Sequence, residues 1–225
     1  LNYACYQDAR FIVVATPSGV TLAPEGGAHQ SISTPLIGMA QDGLASFEPA
    51  FVDELAVLLR FSLEYIQRSG EGEVDPATWL RDAKGGSTYL RLSSRTVDQP
   101  QCKMTEALAS DIINGGYWLR PPGPNCELVI AYTGALAPEA IEAVGLLAED
   151  RRDIGLLAVT SADRLNAGRT AAQRARELGQ AEAKSLVERL FEALPAHCSL
   201  VTVLDGHPAT LAWLGAVRGN RTRSL

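Results

Sequence analysis

The sequence predicts an α/β protein with a mainly parallel sheet, and three observations carry that reading. Short apolar runs recur at 11–16, 127–132, 154–159 and 199–204, each followed by turn residues. They are continuous rather than alternating, as strands buried on both faces are. Segments with helical spacing lie between them, and strand–helix alternation selects a parallel sheet wrapped by helices with right-handed crossovers.

The elements follow in order. The first run, 11–16, stops at Pro17-Ser18-Gly19. A long connection over 19–47 is rich in Gly, Pro, Ser and Thr, and compact domains keep such lengths mainly for function. Glu48-Pro49 opens a helix, with Pro near its first turn. Phe51, Leu55, Leu58, Leu59, Ser62, Leu63 and Ile66 then form one apolar face through about Arg68. Residues 69–75 read as an exposed acidic loop, and Gly85-Gly86 leads into a strand over 87–92. Beyond Ser93 the chain turns polar, over 95–103, before a helix over 105–114. The Gly- and Pro-rich stretch 115–124 stops any continuing element, because Pro fixes φ and lacks a donor. The remainder reads as strand 127–132, helix 138–149, strand 154–159, helix 174–194, strand 199–204 and helix 208–217. Ala140, Ile141, Val144, Leu147 and Ala148 face inward on the helix over 138–149.

Composition narrows the function classes. A length of 225 residues suits one large or two small domains, and 46% hydrophobic residues exclude wholesale disorder. A net charge of -6 argues against a nucleic-acid phosphate binder. No apolar run reaches the roughly 18 residues of a membrane span. Cys5, Cys102, Cys126 and Cys198 form no C-x-x-C pair. They read as reduced thiols of a cytoplasmic protein, and with His29, His197 and His207 they make no zinc pattern. The chain opens Leu1-Asn2-Tyr3-Ala4-Cys5, without Met or a signal core, and ends just past an apolar stretch. Both ends are expected to be cuts through a longer protein.

The richest segment chemically is Ala23-Pro24-Glu25-Gly26-Gly27-Ala28-His29-Gln30-Ser31. It follows a strand, where α/β sheets gather ligands, and its glycines permit close approach and unusual backbone angles. A neutral imidazole there can exchange a proton near pH 7 or hydrogen-bond an oxyanion. The alternative is a loop histidine that merely ties down its turn. Neither G-x-G-x-x-G nor G-x-x-x-x-G-K-[ST] occurs, so this is not a phosphate loop, and no G-x-S-x-G elbow supports a serine hydrolase. Gly134-Ala135 and Asp205-Gly206-His207-Pro208 end strands and read chiefly as turn chemistry. Asp205 or His207 could also bind something at that edge. Arg218, Arg221 and Arg223 read as a solvated tail.

The segment from Thr21 through Ser31 resembles the substrate loop of thiamine-diphosphate enzymes of the transketolase superfamily, roughly Glu-x-Gly-x-x-His-Gln. Pro35-Leu36-Ile37-Gly38-Met39-Ala40-Gln41 followed by Phe47-Glu48-Pro49-Ala50-Phe51 is similar to the homodimeric type of pyruvate dehydrogenase decarboxylating component. Residues 127–161 are similar to the last domain of that family, so the resemblance covers nearly the whole chain.

That resemblance implies a division into 1–95, the C-terminal part of a pyrimidine-binding domain; 96–125, a linker; and 126–225, a transketolase C-terminal-like domain. It implies a parent enzyme that uses thiamine diphosphate and Mg2+. The parent would decarboxylate a 2-oxo acid such as pyruvate and pass the acyl group to a lipoyl-bearing acyltransferase, working as a homodimer. His29 matches the histidine facing the substrate and is the implied catalytic residue; Glu25 and Gln30 flank it as substrate-binding residues. Ser31-Ile32-Ser33 stands where homodimeric dehydrogenases often carry a second histidine, and there the chain resembles transketolase. A transketolase moving ketol units between sugar phosphates is therefore an alternative, and a non-catalytic dimerisation or docking module is another. The family's Gly-Asp-Gly and following Asn, which hold diphosphate and magnesium, do not occur here. Its cofactor-contacting glutamate is expected upstream of Leu1. The 225 residues alone are thus expected neither to bind the cofactor tightly nor to turn over substrate.

Overall fold

In the computed structural model, residues 1–16, 19–21, 26–71, 80–100, 102–151 and 153–225 are described. The first half holds α1 (Asn2–Tyr6), β1 (Ile12–Ala15), α2 (Thr34–Ala40), β2 (Leu44–Phe47), α3 (Val52–Tyr65) and β3 (Ser87–Arg91). The second holds α4 (Glu106–Asn114), β4 (Gly116–Arg120), β5 (Leu128–Thr133), α5 (Ala137–Leu147) and β6 (Gly155–Val159). It continues through α6 (Ala162–Glu177), α7 (Leu186–Phe191), β7 (Ser199–Val203), α8 (Ala209–Ala212) and β8 (Thr222–Ser224).

The α/β class and the mainly parallel pairing hold. One sheet has three parallel strands in the order β1-β3-β2. The other has five, β4-β6-β5-β7-β8, all parallel except β4, which runs antiparallel to β6. The apolar runs 127–132, 154–159 and 199–204 mark interior strands of the larger sheet, and every residue of β6 is buried. The two sheets share a core in which Phe47, Leu58, Phe61 and Leu90 pack with Ile130, Tyr132 and Leu156. A second core fills the space beneath α6 and α7, around Leu157, Leu165, Val187, Phe191 and Leu211.

Several expectations are corrected. The connection 19–47 contains α2 and β2, and β2 is wholly buried although it is only Leu-Ala-Ser-Phe. Its burial comes from tertiary cover, not from its own apolar content. Gly115, at φ +112, ends α4 as expected, but the stretch 115–124 is not without structure of its own, since β4 follows at once. The segment read as a linker therefore supplies an edge strand of the five-stranded sheet. The strand β1 is itself an edge, with Val14 55% exposed, rather than fully buried.

The helix α3 starts at Val52, after Pro49. The Glu54 carboxylate reaches back to the N–H groups of Ala50 (2.7 Å) and Phe51 (2.9 Å) and so fixes the start. Two apolar stripes run along it. The buried one is Glu54, Leu58, Phe61, Ser62 and Tyr65, while Leu59 and Leu63 face outward. The aromatic stripe wins because Phe61 packs edge-on against Phe47 and stacks on Tyr65, burying more area than leucines could. On α5, Ala140 and Val144 are buried as expected, but Ile141 and Leu147 are exposed.

The single helix expected over 174–194 is two. Ser161 caps α6 by accepting from the Arg164 N–H, and Gly179, at φ +96, follows its end. Ser185 and Glu188 then form a reciprocal capping box for α7. The arginine-rich end is solvated as expected, with Arg218, Arg221 and Arg223 exposed, but it is not a loose tail. Its residues 222–224 form β8, and Arg218 donates to the carbonyls of Phe191 (2.7 Å) and Glu192 (2.5 Å).

Candidate functional site

The His29 loop leaves the C-terminal end of β1. Gly26 sits at φ +91 and ψ 161, a region that only glycine occupies readily. Gly27 needs no such freedom and begins a 3-10 turn, Gly27–His29, closed by the His29 N–H on the Gly26 carbonyl at 3.2 Å. His29 is exposed and Gln30 half-buried; Glu25 lies outside the described residues. Among the described residues the His29 imidazole has no hydrogen-bond partner, so no side-chain bond there ties down the turn.

The loop is held from the other half of the chain. The Thr21 N–H and hydroxyl donate to the two carboxylate oxygens of Asp205, at 2.9 and 2.5 Å. The His207 N–H donates to the Ile32 carbonyl at 2.8 Å. Asp205 is buried at the end of β7. Its backbone carbonyl accepts from Arg91 Nη2 at 2.6 Å, and Arg91 Nη1 meets Glu48 Oε1 at 2.5 Å. The Glu48 N–H in turn donates to the Thr160 carbonyl. Residues just at or beyond the C-terminal ends of β2, β3, β6 and β7 therefore form one polar network beneath the His29 loop.

A narrow cleft beside this network is lined by Glu48, Arg91, Ser93, Gly134 and Asp205; His29 does not line it. A neighbouring cavity of about 180 Å³ shares Ser93 and Gly134 and adds Phe51, Leu55, Arg95 and Gln99. Arg95 donates to the Ala135 carbonyl at 3.0 Å and to Glu139 at 2.6 Å. That charged hydrogen bond holds the Glu139 carboxyl below the usual range. Gly134, at φ +42, makes the strand-to-helix turn expected of it.

A second polar contact joins the halves. Asp163, in the first turn of α6, accepts the Ser46 N–H at 3.0 Å, and the Ser161 hydroxyl donates to the Ser46 carbonyl at 2.5 Å. The start of α6 thus replaces a neighbouring strand at the free edge of β2. Desolvation pushes the Asp163 carboxyl up to about 7, against the opposing pull of the Ser46 N–H and Arg164. A raised carboxyl binds its proton more tightly in the folded state. Its contribution to stability is full below about pH 4 and is lost as the pH rises through about 7. The stability difference between wild type and Asp163→Asn should therefore shift against wild type by about 2–4 kcal/mol from pH 4 to pH 8. Urea melts of both proteins at the two pH values measure this, and a constant difference would show that the site does not titrate.

Elsewhere some buried polar groups are paired, while the hydroxyls of Thr88, Tyr132, Thr133 and Thr210 have no hydrogen-bond partner among the described residues. The Tyr117 hydroxyl donates to Glu54 Oε1 at 2.9 Å, and burial raises the Glu54 carboxyl. The sulfurs of Cys126 and Cys198 lie 3.7 Å apart as free thiols, and burial pushes Cys198 up to about 12. Among the described residues no three His, Cys, Asp or Glu side chains come together as a metal site. Among the described residues the donor set does not fit a magnesium–diphosphate group. Among the same residues no helix is long and apolar enough to cross a membrane.

Solved structures share this arrangement of strands and helices. The transketolase from Campylobacter jejuni superposes with a TM-score of 0.67 at 14% identity, covering 100% of this chain and 28% of that one. The fold is transketolase-like. The transketolase from Leishmania mexicana gives a TM-score of 0.63 at 18% identity over 92% of this chain and 25% of its own. A split-gene transketolase, described as an inactive β4 tetramer, gives 0.58 at 15% identity over 98% of this chain and 58% of its own. The chain thus spans about a quarter of the full-length transketolases it matches. No protein-family model matches the sequence, and no curated protein does.

The sequence pointed to His29, Gln30 and Glu25 as one group. The structure presents the first on an exposed turn with the second beside it. It adds Thr21, Glu48, Arg91 and Asp205, which sequence reading did not group. A signal for one of them existed: an arginine near the end of a strand-forming run, 87–92, needs a partner if that strand is buried.

Proposed function

We propose that this chain is part of a thiamine-diphosphate-dependent decarboxylating subunit acting on a 2-oxo acid, with pyruvate the default substrate. In this reading 1–95 ends a pyrimidine-binding domain and 126–225 is a transketolase C-terminal-like domain, with 96–125, which carries α4 and β4, between them. Cofactor and Mg2+ are held by other parts of the enzyme. Pairing as a homodimer and transfer of the acyl group to a lipoyl-bearing partner belong to the same reading, as does a cytoplasmic location.

The observation that carries it is an imidazole, His29, without a hydrogen-bond partner among the described residues, on a glycine-hinged turn at the C-terminal edge of a parallel sheet in a transketolase-like fold. A neutral imidazole so placed can orient a keto oxygen or move a proton on a reacting adduct. Gln30 and Glu25 flank it as pocket residues.

The second reading is transketolase itself, and the solved structures named above are transketolases. A sugar phosphate brings a dianion that calls for cationic or multiple N–H partners. Beside the cleft, Arg91 and Arg95 are each already paired with a carboxylate, Glu48 and Glu139. This favours the less charged oxo acid. The test is an assay of the full-length parent with thiamine diphosphate, Mg2+ and an artificial electron acceptor, comparing several 2-oxo acids with ketose phosphates plus aldose acceptors. Oxo-acid-dependent reduction of the acceptor is expected. Ketol transfer without it would establish the second reading instead.

A further inference from the structure

We propose that Asp205 is a positioning residue for the His29 loop, gripping it from the far end of the chain. The catalytic consequence rests on the reading of His29 given above; the grip itself does not.

Among its described residues, the loop between β1 and α2 is hydrogen-bonded at two places to one short turn, Asp205-Gly206-His207. At its entry, Thr21 gives both its donors to the Asp205 carboxylate. At its exit, the Ile32 carbonyl accepts from the His207 N–H. Between these, Gly206 sits so close that a Cβ there would lie 2.9 Å from the Pro35 ring and 3.2 Å from the Ile32 carbonyl. Gly19 is pressed onto Asp205 in the same way, leaving no room for a side chain. His29 lies between the two anchors, closer in sequence to Ile32 than to Thr21, and has no side-chain hydrogen bond of its own among the described residues. Its position therefore depends on the anchors.

Asp205 is suited to that task. It is 3% exposed, so its hydrogen bonds to Thr21 are shielded from water. Its backbone is fixed from below by Arg91, which is itself locked to Glu48. The anchor thus refers the loop to both sheets at once. A group displaced by about 1 Å from its productive place can lose about 100-fold in rate, so a slack anchor would act on kcat rather than on substrate affinity.

The test compares wild type with Asp205→Ala and Asp205→Asn in the full-length parent enzyme. One readout is hydrogen exchange of the amides in 19–33. The other is kcat and KM, normalised to the folded fraction. Asp205→Ala should speed exchange at the Thr21 amide by tenfold or more and lower kcat about 10- to 100-fold with KM little changed. Asp205→Asn keeps an acceptor for the Thr21 N–H and should restore most of both. If Asp205→Ala does not fold, Thr21→Val removes the hydroxyl donor alone and should move both readouts in the same direction by less. Unchanged exchange over 19–33, or unchanged kcat despite faster exchange, would overturn the proposal. Faster exchange in an enzyme whose activity is insensitive to His29→Ala would leave the grip standing and remove the role assigned to His29.

Discussion

Replacing Arg91 with leucine should destabilise the fold by about 3–5 kcal/mol, the usual cost of removing one partner from a buried ion pair. Arg91 ends the central strand of the three-stranded sheet, and the Glu48 it meets is only 8% exposed. With the guanidinium gone, the Glu48 carboxylate is left charged in a poorly solvated site, and the Asp205 carbonyl loses a donor. The pair itself contributes less than this figure, because desolvating two charges offsets much of their attraction. Glu48→Leu combined with Arg91→Leu should therefore recover a large part of the loss, a coupling that a double-mutant cycle in urea reads directly. A cost below about 1 kcal/mol for Arg91→Leu would mean that water reaches Glu48 and that the two sheets are not joined through this pair.

The strands that the sequence displays openly are those whose own residues account for their burial. Leu128–Thr133, apolar up to its final threonine, and Gly155–Val159 lie in the middle of the five-stranded sheet. Leu44–Phe47 is equally buried but contains Ala and Ser, and it is covered from outside by α2 and α6, 117 residues away along the chain at the Ser46–Asp163 contact. No local pattern reports such cover. Gly116–Arg120 was hidden by the glycines and prolines that bound it, which here set the ends of a strand. On α3 the spacing allowed two apolar faces, and the choice between them was made by Phe47 and Arg164, which pack on Phe61 from other elements.

The site divides along the same line. Glu25-Gly26-Gly27-Ala28-His29-Gln30 is legible because the glycines and the histidine are adjacent in sequence. Its support is not, since Thr21 and Asp205 are separated by 184 positions. Asp205-Gly206-His207-Pro208 stood out as a turn, and it is one; that it also receives the loop is a tertiary fact.

The largest effect on activity should come from His29. An acid–base group in contact with a reacting centre typically contributes about 10²–10⁴-fold in rate. His29 is exposed and has no side-chain hydrogen bond among the described residues. Its removal should therefore leave stability within about 0.5 kcal/mol of wild type. Chemistry and folding are thus separable at this position, which they are not at Arg91 or Asp205. On the function proposed above, the most direct measurement is kcat/KM of the full-length parent with a 2-oxo acid, thiamine diphosphate and Mg2+, for wild type and His29→Ala of matched melting temperature. A fall of about 100-fold or more, equivalent to about 2.7 kcal/mol of transition-state stabilisation, is the expected result. A rate within about threefold of wild type, under about 1 kcal/mol, would contradict the role assigned to this loop.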